Sequence, residues 1–118
     1  MTLKECYSKI GGDYDDVSAR LMTDKLVEKF MIKFLDDTSY DTLMESLESG
    51  NYAEAFRAAH TIKGICQNLS FTSLFNSINP LTEELRNGNP PSSPDLITRV
   101  KEDYRKTISA IKEFQSGI

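Results

Sequence analysis

Tryptophan is missing from this 118-residue chain, histidine occurs once, and cysteine occurs twice. Each scarcity, and each missing pattern, removes a class of function. No apolar run reaches bilayer length, so no segment reads as a membrane span. A net charge of −4 with no Lys/Arg block argues against nucleic acid as a partner. One histidine, two separated thiols (Cys6 and Cys66) and scattered carboxylates match none of the familiar metal-ligand spacings. Two cysteines do not make a disulfide framework, and Cys66 reads as a small core residue. Met1-Thr2-Leu3-Lys4-Glu5 lacks the apolar core of a secretory signal, so the expected compartment is the cytoplasm. A Gly-rich phosphate loop is absent, as is the period-two alternation of strands.

What is present is a succession of amphipathic helices. With 39% apolar and 27% charged residues the chain reads as an ordinary globular protein with a modest core. Thr2-x-x-Glu5 forms a capping box for a short opening helix ending at Gly11-Gly12. A second short helix follows over Asp13–Arg20, with Asp15 or Asp16 as its cap. From Thr23 the apolar period sharpens, with Leu26, Val27, Phe30, Met31, Phe34 and Leu35 on one face until about Asp36. Tyr40, Leu43, Met44 and Leu47 mark a further helix that stops at Gly50.

Asn51, with Glu54 three residues on, caps the next helix, which runs to about Leu69. Ser70 or Thr72 is positioned to cap its successor, striped by Phe71, Leu74, Phe75, Ile78, Leu81 and Leu85. Pro80 lies inside that helix and predicts a kink near Phe75–Asn79. Gly88 closes it. Ser93-Pro94 then supplies a cap followed by proline at the first helical position. The last helix carries Ile97, Val100, Tyr104, Thr107, Ile108, Ile111 and Phe114 on one face. Short connections between such helices favour antiparallel neighbours. The expected fold is all-α: an up-and-down antiparallel four-helix bundle with additional short N-terminal helices. It forms a single domain over residues 1–118, with the bundle core at about 23–116 and an N-terminal helical cap over 1–22.

The stretch Ala59-His60-Thr61-Ile62-Lys63-Gly64 stands out within this pattern. Tyr52, Ala55, Phe56, Ala59, Ile62, Cys66 and Leu69 gather into one apolar stripe, and His60 falls roughly 120° from its centre. The imidazole therefore points to solvent or to the rim of the core. Lys63 and Arg57 lie one turn away on either side, and both can reach negative charge placed on the ring. Gln67 follows two turns on. Gly64 costs the helix on the order of 1 kcal/mol relative to alanine, yet it sits one turn from His60, where a larger side chain would crowd the ring. The arrangement suits a histidine that a large partner approaches closely and that carries an anion, such as a phosphoryl group. An unperturbed imidazole titrates near neutral pH, so its neutral form is available as a nucleophile.

Ala59-His60-x-x-Lys63-Gly64, followed by Leu69, resembles the signature of histidine-containing phosphotransfer (HPt) domains of two-component phosphorelays. The likeness extends through Leu74, Leu81 and Glu84-Leu85 and covers Thr23 to about Phe114. It implies that His60 takes a phosphoryl group from a receiver-domain aspartate, or from a histidine kinase, and passes it to a response-regulator aspartate. Implied partners are receiver domains of response regulators and hybrid histidine kinases, and the carrier is expected to be a monomer. It implies no cofactor of its own and no ATP site, with Mg2+ held by the partner receiver domain. Lys63 is expected to stabilise phosphoryl charge, Gly64 to give steric access, and Arg57 and Gln67 to support them. The chain departs from the family at Ser70, commonly glycine. It departs again at Thr82, which stands where some members place a glutamine against the ring and would reach it through a water. An apolar patch of Phe71, Phe75 and Ala53 is expected to dock the partner. Two rivals differ from the relay reading. One is a substrate domain phosphorylated directly by a kinase's ATPase domain, and the other is a helical adaptor whose histidine is never phosphorylated.

Overall fold

A computed structural model describes residues 1–117, all of whose regular structure is helical. The helices are α1 (Leu3–Ile10), α2 (Tyr14–Leu21), α3 (Asp24–Lys33), α4 (Ser39–Ser49), α5 (Tyr52–Leu69), α6 (Thr72–Leu85) and α7 (Pro94–Gln115). Single 3-10 turns follow α3 at Phe34–Asp36 and α6 at Arg86–Gly88. Helices α4 to α7 each pack on the next in sequence, joined by short turns, which gives the up-and-down bundle. Helix α1 lies along α7, and α3 touches both α5 and α7. The molecule measures 40 × 25 × 21 Å.

Local chemistry accounts for most of the boundaries. Thr2 Oγ1 accepts from the Glu5 amide while the Glu5 carboxylate accepts from the Thr2 amide, so the capping box is complete. The Glu54 amide donates to Asn51 Oδ1 and the Asp95 amide to Ser93 Oγ, opening α5 and α7. Gly11 and Gly50 take the left-handed conformation that closes α1 and α4. Helix α2 is capped by Asp13, whose carboxylate accepts from the Asp16 amide, and not by Asp15 or Asp16. Helix α6 runs without a break from Thr72 to Leu85 across Pro80.

One continuous core joins the N-terminal helices to the bundle. Leu3, Cys6, Tyr7, Ile10 and Val17 are buried together with Met31, Leu43, Ile62, Leu74, Leu81 and Ile111. Both thiols are buried and unpaired, and desolvation pushes that of Cys6 up to about 11.

The two short helices complete the end of α5. A helix C-terminus leaves carbonyls without intrahelical donors. Here the Tyr7 hydroxyl donates to the Leu69 carbonyl at 2.8 Å and Arg20 donates to the Asn68 carbonyl at 3.1 Å. The Asp13 amide donates to the Ser70 carbonyl at 2.9 Å. Ser70 itself is left-handed (φ 55°), a conformation that is costly for a residue with a Cβ. Its hydroxyl donates to Asp16 and accepts from Arg20, tying the turn to α2. The Ser70 hydroxyl first, and then Arg20, which also donates to the Asp16 carboxylate at 2.8 Å, hold the Asp16 carboxyl below the ordinary range. Its contribution is therefore present above the unfolded carboxyl's pKa and is lost as pH falls through the depressed one.

The same N-terminal turn caps α6. Neither Ser70 nor Thr72 does so: Phe71 occupies the cap position without a side-chain bond, and the Ser73 amide donates instead to the Gly11 carbonyl at 3.0 Å. Gly12 permits this close approach, since a Cβ there would stand 2.8 Å from both the Ser70 carbonyl oxygen and the Tyr7 ring. Removing the Tyr7 hydroxyl in Tyr7→Phe should cost about 1–2 kcal/mol, the range for a buried hydrogen bond whose partner stays unsatisfied. Urea unfolding measures it; an unchanged midpoint would mean that water replaces the bond.

Candidate functional site

Helix α5 presents His60 on its solvent face, as its wheel predicts, while Ala55, Ala59, Ile62, Cys66 and Leu69 turn inward. The imidazole stands on a ridge with different ground on each side. Gly64 lies about 40° around the helix to one side and Lys63 about 60° to the other.

On the Gly64 side, α5 and α3 enclose a groove of about 410 Å³. Thr61, Gly64, Ile65 and Asn68 form one wall, and Phe30, Lys33 and Phe34 the other. A Cβ built on Gly64 would meet nothing within 4 Å. Packing inside this chain therefore does not require glycine, and its cost to the helix has no internal return.

The Lys63 side is charged. Lys63 Nζ lies 3.7 Å from Glu83 of α6, and its side chain is only 20% exposed. Glu83 also accepts from Arg86 at 2.8 Å. The Arg86 guanidinium sits 5.0 Å from the centre of the Phe56 ring, which lies 5.7 Å from the imidazole ring. Arg86 foremost, then Lys63, holds the Glu83 carboxyl below its usual range. Glu83, Arg86 and Phe56 had no place in the sequence reading of the site. Burial of Leu81 and Leu85 sets Glu83 outward, but only the packing of α6 on α5 brings it to Lys63.

The other expected residues are placed less simply. Arg57 is paired with Glu54 within the first turns of α5. Gln67 is exposed in a separate shallow depression with Arg20, Ser70 and Phe75. Thr82 is fully buried, and its hydroxyl donates to the Ile78 carbonyl at 2.7 Å. It is thus bonded to its own helix and buried in the core, whereas Glu83, the next residue, lies on the exposed side of α6. Phe71 also departs from expectation. It is wholly buried between Tyr7 and Phe34, at 5.8 and 5.6 Å between ring centres, and cannot dock a partner. Ala53 is exposed and Phe75 half-buried.

Among the described residues no three of His, Cys, Asp and Glu converge as metal ligands, and no helix is long and apolar enough to cross a membrane. The site offers an exposed imidazole, a cation one turn away along the helix and an unobstructed approach beside them. These serve acceptance of an anionic group delivered on the surface of another macromolecule.

A family model described as the Hpt domain matches residues 30–113. Neither the curated proteins nor the solved structures contain a match to the chain. The matched span starts in the helix that walls the groove and ends in the last turns of α7, with His60 inside it. Well over half of the sequence is covered, and the chain belongs to the Hpt domain family.

Proposed function

We propose that this chain is a phosphorelay intermediate, with His60 as the residue that carries the phosphoryl group between receiver-domain aspartates. The observation that carries the reading is the ridge itself: an exposed imidazole beside a glycine that nothing in the fold requires. Phosphotransfer in two-component signalling is the activity that the family implies.

The lone pair of a His60 ring nitrogen, Nε2 by family resemblance, forms the N–P bond while the P–O bond of the aspartyl phosphate breaks. The bonding pair stays on the aspartate carboxylate, and the other ring nitrogen keeps its proton through the step. The reverse sequence returns the group to a second receiver. Charge on the three equatorial oxygens is met by Lys63 from this chain and by Mg2+ held in the receiver. The receiver docks over the groove between α3 and α5, where Phe30 and Ile65 offer apolar contact and Gly64 leaves room for its active-site loops. The protein is a carrier without turnover of its own and acts as a monomer in the cytoplasm.

A two-stage transfer tests this. Purified protein is mixed with a radiolabelled phosphoreceiver and Mg2+, repurified, and offered to an unlabelled receiver. Label should move in both stages. Label that reaches the protein only from an ATP-loaded kinase core would favour the direct-substrate role, and none from any donor would favour the adaptor.

A further inference from the structure

Lys63 is not free in the unphosphorylated protein. Its ammonium group lies 3.7 Å from the Glu83 carboxylate, which is anchored in turn by the 2.8 Å contact with Arg86. Arg86 is itself fixed over the Phe56 ring, next to the imidazole. A carboxylate is thus held against the cation that an arriving phosphoryl group would draw on.

We propose that Glu83 is a positioning residue for the transfer, one that draws Lys63 away from His60 and so weakens the protein's hold on the phosphoryl group. The inference rests on the phosphotransfer reading. Two effects act in the same direction. Glu83 competes with the phosphoryl group for the Lys63 ammonium, and its own charge repels the phosphoryl oxygens. A carrier must give up its cargo as readily as it accepts it. A histidine with an uncontested lysine beside it would retain the group, whereas Glu83 keeps the free and loaded states closer in energy. Loading would pass Lys63 from carboxylate to phosphoryl, and release would pass it back. Glu83 is an exposed residue, its side chain 49% accessible, so its replacement leaves the core untouched.

The test is an equilibrium. Wild type, Glu83→Gln and Glu83→Asp are each incubated with phosphoramidate and ammonium at one fixed ratio, approached from both sides. Intact mass then gives the ratio of phosphorylated to free protein. On transfer, the N–P bond of the donor breaks, ammonia leaves, and the His60 N–P bond forms. Glu83→Gln should raise the ratio about three- to fivefold, the scale of an exposed ion pair. The increase should shrink at high salt, and also when Lys63→Ala is already present. Glu83→Asp keeps the charge and should stay near wild type, which a role in packing alone would not produce. A Glu83→Gln ratio equal to wild type, or Asp and Gln variants shifted alike, overturns the assignment of Glu83 and leaves the relay reading standing. Wild type that takes no phosphate from phosphoramidate or from any phosphoreceiver overturns the relay reading, and this assignment with it.

Discussion

Replacing His60 by glutamine should remove all phosphoryl uptake and leave the bundle folded. Glutamine keeps a polar side chain of similar reach but has no nitrogen lone pair able to form a phosphoramidate. The chain holds no second histidine to take over. Both cysteines are buried, with desolvation raising their thiols above the ordinary range, so neither is a substitute nucleophile. His60 is exposed and its ring lies against half-buried Phe56, so the substitution should change stability by no more than about 0.5 kcal/mol. Rapid-quench transfer from a phosphoreceiver and urea unfolding on the same samples separate the two effects. A variant that still accepts phosphate would place the acceptor elsewhere.

The second large effect carries opposite signs in two measurements. Gly64→Ala should stabilise the protein by about 0.5–1 kcal/mol, because glycine is unfavourable inside a helix and the new methyl group meets nothing within 4 Å. Gly64→Gln should likewise not destabilise the fold. Transfer should nevertheless fall, slightly for alanine and by about tenfold to a hundredfold for glutamine, the range for displacing reacting groups by about an ångström. Phosphoramidate is small enough to reach the ring past the new side chain, so uptake from it should fall much less. That contrast distinguishes a docking clash from damage to the histidine. If glutamine at position 64 slowed both donors equally, the glycine would act on the ring itself.

These effects could be framed because so much of α5 was legible in the chain. Its cap at Asn51, its apolar stripe and the outward placement of His60 all follow from spacing along one helix, where neighbours in space are neighbours in sequence. The box at Thr2 and Glu5 and the Ser93-Pro94 start of α7 were readable for the same reason. What escaped depended on contacts distant in sequence. Phe71 read as a surface anchor because nothing nearby in sequence announces Tyr7 and Phe34 as its partners. The amide of Ser73 finds its acceptor at Gly11, so the cap of α6 came from another part of the chain, not from Ser70 or Thr72. Thr82 and Glu83 are adjacent residues with opposite fates, and which of them meets the site depends on how α6 is rotated against α5. Three aspartates within four residues, Asp13, Asp15 and Asp16, left the start of α2 ambiguous by two or three residues.

The N-terminal helices acquire a role from the same contacts. They supply donors to the last carbonyls of α5 and an acceptor to the first amides of α6, and Arg20 places positive charge at the negative end of the histidine helix. Ser70, where the family commonly has glycine, fits this scheme, since its hydroxyl joins Asp16 and Arg20 across the turn.

If His60 holds the phosphoryl group, a peptide map locates the phosphate on it. Trypsin cuts after Arg57 and Lys63, releasing Ala58–Lys63, in which His60, Thr61 and the terminal Lys63 are the side chains able to carry phosphate and fragmentation separates the three. Protein loaded from a phosphoreceiver and kept alkaline throughout should yield this peptide with one phosphate, located on His60 by fragmentation and lost on brief acid treatment. Phosphate that survives acid on Thr61, or that maps to any other peptide, would contradict the account.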